Sequence, residues 1–267
     1  MSAYTNTLPT PAPAFRRRII IAAERQGAAT LVRAALEDDF HHFRVELRCA
    51  AGCVEQVSGE APRHPYTLCK FASGELTRLV GMPLSGTSHA VTRYTDASEQ
   101  CTHLLDLAGL AIAAAARGTV RRQYDIVVPE REEHGRTQPR LWRDGVLLLE
   151  WEVDGDLIEG PPPYAGINLR AGLARWALTT LPEEEAEAAL VLRRCTAIAV
   201  GRIRDLDSQV HARPSGSCYA QQPRRAEQAL RVVRSTLDFS ASPDPLCAGD
   251  QAWLQSLAPS PFGRGWG

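Results

Sequence analysis

The stretch FRVELRCAAGCVEQV, residues 43–57, decides the fold class. Phe43, Val45 and Leu47 are apolar, and Arg44, Glu46 and Arg48 between them are charged. Period two is the mark of a strand with one face buried and one face in water. Ala50, Ala51 and Gly52 make a turn, and residues 54–57 return as the hairpin partner. Upstream, residues 17–23 and 31–36 read as two further short strands. Downstream, Pro62 and Pro65 break the chain. Leu68, Phe71, Ala72, Leu76 and Leu79 then recur at near-helical spacing up to Gly81. An Ala-rich helix follows over residues 104–116 and ends at Gly118. Strands followed by helices predict an α+β fold.

The same order returns further along. Residues 138–150 are strand-like around a turn at Arg143, Asp144 and Gly145. LEWEVDGDLIEG, residues 149–160, reads as a second hairpin, and Pro161, Pro162 and Pro163 break the chain again. Residues 169–181 and 183–201 read as helices. RVELRCAAGCVEQV matches LEWEVDGDLIEG in outline, CKFASGELTRLVG matches AGLARWALTTLP, and QCTHLLDLA matches RCTAIAVGR. The expectation is two pseudo-repeated units packed as one body: 15–119 carrying the site and 120–240 degenerate. A disordered arm (1–14) precedes them and a tail (241–267) follows. Ala171 stands in the second unit where the first has Cys69, and Ala197 where it has His103.

With 267 residues, 44% of them apolar, the chain can bury a sizeable core. Thirty basic and 31 acidic residues nearly cancel, so no net field draws nucleic acid or a membrane surface. Lys70 is the only lysine. The apolar run before residue 117 is too short for a membrane span, and Arg16, Arg17 and Arg18 precede too short a run for a signal peptide. A cytoplasmic location follows as the expectation, with the seven cysteines as reduced thiols. No dinucleotide-binding, phosphate-loop, nucleophile-elbow or zinc-finger spacing is present.

Chemistry-bearing residues gather in the first unit. Asp39 and His41, two apart, would share one face of a strand. Cys69 and Cys101 stand at helix starts, where orphan N–H groups and the dipole favour a thiolate. Carboxylate, imidazole and thiolate together suit one divalent metal ion, zinc or iron, held by Asp39, His41, Cys69 and Cys101. His103 would be the general acid–base. His42 reads either as a core histidine beside Phe43 or as a second catalytic imidazole. Tyr219, in the loop HARPSGSCYAQQP over residues 211–223, could cover the pocket, and an amphipathic helix through Ala229, Leu230 and Val233 is expected after it. Each of these residues also has an ordinary reading, as a turn solvated by Asp38 and Asp39 or as small buried thiols.

ALEDDFHHFRVEL, RHPYTLCKFASGELTRLVG and QCTHLLDLAGLAIAAAA, in that order, resemble a bacterial domain-of-unknown-function family, the one numbered 2889, over about residues 15–240. Its members look like accessory or catabolic proteins. More distantly the units resemble the iron–sulfur scaffold and sulfur-acceptor fold (IscU/SufE-like). That resemblance implies that Asp39 stands where the fold's first cysteine would be, His41 where its aspartate would be, and Cys101 at its last cysteine. Gln100 replaces the preceding histidine, with His103 two residues beyond Cys101, and Cys69 lies about one helical turn late. Such a site suits a retained single metal better than a transferable cluster.

Two functions follow as expectations. One is a metal-assisted lyase, hydratase or hydrolase of bacterial small-molecule catabolism. The other is a non-enzymatic iron–sulfur or sulfur carrier. The partners expected are a small-molecule substrate and no nucleic acid or membrane, with a homodimer or a partner catabolic enzyme compatible with either function.

Overall fold

The computed structural model describes residues 12–132 and 134–256. The expected N-terminal arm lies outside them up to residue 11, as does the chain from 257 onward. Ala14, its last residue, is already buried and opens a strand.

Four strands form first: β1 (Ala14–Gln26), β2 (Ala29–Asp38), β3 (His42–Ala50) and β4 (Cys53–Arg63). After helix α1 (Thr102–Arg117) come β5 (Arg121–Pro129), β6 (Arg136–Thr137), β7 (Arg140–Arg143), β8 (Val146–Glu150), β9 (Glu152–Asp154) and β10 (Leu157–Gly160). The rest is helical or irregular: α2 (Leu173–Thr180), α3 (Glu183–Ala199), α4 (Pro223–Ala226) and α5 (Gln251–Gln255). Seven strands make one antiparallel sheet in the order β4-β3-β2-β1-β5-β7-β8, and β10-β9-β6 make a small second one. The two halves of the chain therefore share a sheet, with β1 in its middle.

The alternation in β3 is kept in full: Phe43, Val45, Leu47 and Cys49 are buried, and the residues between them are partly exposed. The turn after it needs a left-handed backbone at Ala51 (φ 50°) and Gly52 (φ 77°), as a tight hairpin does. Strand β1 is buried on both faces because both are covered. Ile19 and Ile21 meet α1, α3 and the main core, whereas Ile20 and Ala22 meet Ala35, Cys247 and Leu254. The expected tail is thus docked up to α5, with Cys247, Asp250 and Leu254 buried.

Three elements differ from expectation. Cys69–Leu79 is a three-ten helix rather than an α-helix, with Cys69, Ala72, Leu76 and Leu79 inward and Phe71 in solvent. Ser73 and Gly74 in its middle are weak helix formers, and Leu76 lies flat on β4 at Gly59. The amphipathic helix expected through Leu230 and Val233 does not form. That segment is held extended by bonds from Thr67 N to Leu230 O and from Val232 N to Pro65 O, both 2.9 Å. The match between QCTH and RCTA also fails in structure: Cys101 caps the start of α1, and Cys195 lies near the end of α3. Among the described residues, no helix is long and apolar enough to cross a membrane.

Candidate functional site

Strand register builds the site. Arg17 on β1 is paired with Asp38, the last residue of β2. By parity both side chains fall on the helix-covered face, with Ile19, Ile21 and Leu36. Both are buried, and the Arg17 guanidinium donates from Nε (2.9 Å) and from Nη2 to Asp38 Oδ2. The other oxygen, Oδ1, accepts the backbone N–H groups of Phe40 (2.7 Å) and His41 (2.8 Å) in the turn to β3. It also meets His41 Nδ1 at 3.1 Å. From the helix layer on this face α1 supplies His103, whose ring stacks on His41 with centroids 4.0 Å apart and planes 29° apart. Phe43 flanks both rings, at 5.5 Å and 5.8 Å.

Electrostatics sorts the roles. Burial opposes ionisation of Asp38, but Arg17 and then His41 outweigh it and hold the carboxyl well below the usual range. Burial, with His41 and Arg17 adding to it, pushes His103 well below an ordinary imidazole, so its ring is neutral. Its Nε2 is buried without a hydrogen-bond partner. An ionised Asp38 fixes the His41 tautomer with hydrogen on Nδ1, leaving the Nε2 lone pair for chemistry.

Asp38, His41 and His103 each offer one ligand atom within 4.8 Å of the others. They fit a metal ion poorly as arranged. The Asp38 oxygens are taken up by Arg17, two amides and His41, and a cation there would face the guanidinium. A metal–nitrogen bond lies in the imidazole plane at about 2.0–2.1 Å. Two stacked rings 4.0 Å apart do not aim their lone pairs at one such point.

The four expected ligands are not brought together. Asp39 sits in the turn, not on the strand, and pairs with Arg202. Burial raises it to about 6 against that pairing, and its Oδ1 has no partner. Cys69 packs in a separate cluster with Ala212, Ala220, Ala226 and Ala229. Cys101 is buried at the start of α1, and burial pushes its thiol up to about 12. Desolvation therefore overrides the helix start for both thiols, since Cys69 is also raised by burial. His42 points to the opposite sheet face, with Nε2 2.9 Å from Asp250 and Nδ1 3.9 Å from Glu37. Tyr219 does lie over the mouth of α1: its N–H donates to Gln100 O at 2.9 Å, and Arg225 stacks on its ring at 3.8 Å.

His41 and His103 are thus joined, and Asp38 and Arg17 are the partners that sequence reading missed. The signal for them was parity: the odd residues of β1 and the even residues of β2 face the helices. A search of curated proteins found no match. Residues 22–117, which carry all of this site except Arg17, match the model of a family described as a protein of unknown function (DUF2889).

Proposed function

We propose that the protein is an enzyme that moves protons to or from a small molecule at His41, in a lyase, hydratase or hydrolase reaction. The observation that carries this is the 3.1 Å contact from His41 Nδ1 to Asp38, itself held by Arg17 and two backbone amides. A carboxylate so placed orients the imidazole and stabilises the imidazolium formed when Nε2 takes a proton. Neutral His103 beside it adds no opposing charge, and its Nε2 is buried without a hydrogen-bond partner. The alternative of a sulfur or iron–sulfur carrier asks for an accessible thiolate, and burial disfavours one at Cys69 and Cys101. In this reading the unit before residue 118 resembles the scaffold fold in layout, with strand end and helix start turned from cluster ligation to proton transfer.

The test is solvent-deuterium exchange. The protein is incubated in D2O with a panel of small hydroxy and unsaturated carboxylates, and carbon-bound hydrogen is followed by proton NMR. The wild type is expected to exchange or hydrate a member of the panel, and His41→Ala to lose at least about a hundredfold in rate. Equal rates in the two proteins, or no reaction in either, would sink the proposal. Elemental analysis runs alongside it. Zinc or iron at about one per chain, lost in His41→Ala, would replace this reading with a metal-assisted one.

A further inference from the structure

The turn that carries His41 is held by one guanidinium. Arg63 ends β4 and is paired with His42 at the start of β3. Its side chain is 15% exposed. Nη1 donates to Asp39 O and to Ser235 O, both at 3.0 Å. Nη2 is shared among His41 O (3.2 Å), Asp38 O and Glu37 Oε1 (3.2 Å). An arginine beside a carboxylate frequently grips it with two parallel bonds. Here the fork is spread instead over three carbonyls of the β2–β3 turn, and Glu37 takes a single bond.

One of those carbonyls leads straight to the site. Asp39 O and the Phe40 N–H belong to the same peptide group, which is planar, with its C=O and N–H pointing opposite ways. The carbonyl end accepts from Arg63 Nη1 and from the Leu237 N–H (2.7 Å), so both its lone pairs are used. The amide end donates to Asp38 Oδ1 at 2.7 Å, and that same oxygen meets His41 Nδ1 at 3.1 Å. A single rigid plane therefore connects Arg63 to the carboxylate that orients His41. Only the soft dihedrals on either side of the plane could turn it. Turning it would take the Phe40 N–H off Oδ1, and the grip on its carbonyl end opposes that. A cationic donor on the carbonyl also polarises the peptide and strengthens its N–H as a donor.

We propose that Arg63 is a positioning residue for His41: by holding the Asp39–Phe40 peptide it keeps the Phe40 N–H on Asp38 Oδ1, and through that oxygen it fixes the imidazole with hydrogen on Nδ1 and the lone pair on Nε2. Arg63 acts through the peptide and Asp38 rather than on a reacting atom. Lysine is a poor substitute, because an ammonium keeps the charge but not the planar fork that spans Asp39 O and His41 O. The proposal goes beyond the proton-transfer reading, and rests on it only in calling the oriented ring a catalytic one. The tautomer of that ring is measured without a substrate.

The experiment is two-bond proton–nitrogen NMR on protein carrying isotope-labelled histidine, at about pH 8, above the ordinary imidazole range. His41→Ala assigns the His41 signals. The wild type is expected to show one tautomer, with Nδ1 protonated and Nε2 bare. Arg63→Met should mix the two tautomers. Arg63→Lys, which keeps the charge, serves as the folded comparison and should lie between. His89, in the turn Ser88–Arg93, is outside this network and reports general loosening. Its signals should match the wild type in both variants. Once a substrate is in hand, Arg63→Lys should lower kcat about tenfold with KM nearly unchanged. An unchanged His41 tautomer in both variants, or a wild-type ring protonated at Nε2, would overturn the proposal. So would changes at His89 as large as those at His41, which would mark Arg63 as a structural residue only. The two ideas fail separately. If Arg63 fixes the tautomer but the wild type exchanges no deuterium, positioning stands and proton transfer falls. If deuterium exchange depends on His41 while the tautomer ignores Arg63, the reverse holds.

Discussion

At the scale of single residues the Arg17–Asp38 pair carries the most risk and the most information. Arg17 is 2% exposed and Asp38 fully buried. Removing one partner of such a pair leaves the other charged and dry, which costs about 3–5 kcal/mol. Asp38→Asn is therefore expected to lower stability by that amount in urea unfolding. Arg17→Met beside Asp38→Asn should recover most of it, because the asparagine can still accept the amides of Phe40 and His41 and no unpaired charge is left buried. A loss below about 1 kcal/mol in the single variant would show that Arg17 is not relying on Asp38. The pH dependence has a fixed sign. The folded carboxyl lies below its unfolded value, so the folded protein binds fewer protons in acid. The stability it contributes is present above about pH 4 and drains away as pH falls below that. Asp38→Asn should flatten that acid limb. His41 and His103 were legible in the sequence as members of a His-rich cluster. Asp38 and Arg17 were not, because a one-residue slip in where β2 ends exchanges the two sheet faces. The reading that placed Asp39 and His41 on one strand made that slip: β2 stops at Asp38 and the turn begins.

At the scale of elements, α1 is set by how closely it approaches its neighbour. A Cβ on Gly109 would lie 2.2 Å from the Ser88 carbonyl oxygen in the three-ten turn Ser88–Arg93. In an exposed helix Gly→Ala gains about 1 kcal/mol. Here the turn must move, so Gly109→Ala is expected to cost about 1–3 kcal/mol instead. A raised melting temperature would refute the close contact. The long elements were legible for a physical reason. Strand β3 is half-buried and so alternates, and α1 is apolar and closed by Gly118 at φ 69°. The three-ten helix was hidden because apolar residues three and four apart suit either helix type. The segment through Leu230 and Val233 was hidden because exposed apolar residues, at 49% and 61%, imitated a helical stripe that packs on nothing. Its true constraint is pairing with residues 65–67, some 160 positions away in the chain, which no local pattern reveals.

At the scale of the whole molecule, the sheet separates the buried Arg17–Asp38–His41 cluster from the segment that closes its other face. The inner face holds Arg17, Asp38 and the helices, and the outer face is sealed by the chain's last described segment. There Asp250 accepts from His42 Nε2 (2.9 Å) and Arg44, Glu37 Oε2 accepts Cys247 N–H (2.7 Å), and Leu254 covers Ile20 and Ala22. Ending the chain at residue 245 would strip this cover from β1, the strand that carries Arg17. It would expose Ile20, Ala22 and Ala35 and leave His42 without its nearer carboxylate. The lost apolar cover and broken ion pairs amount to about 3 kcal/mol. For a chain of this length that is a fall in melting temperature of about 6–12 °C. Hydrogen exchange locates the effect. Amides of β1, β2 and β3 should open sooner, while α3, which touches the other face, should change only through the global fall in stability. Acid should produce part of the same result in the intact protein. Burial opposes ionisation of Asp250, but His42 and Arg44 hold its carboxyl below the ordinary value, so this clamp loosens as pH falls below about 4. If the shortened chain melts within a degree or two of the full one, the outer cover is dispensable, and β1 is held by its two neighbouring strands and by α1 and α3 on its inner face.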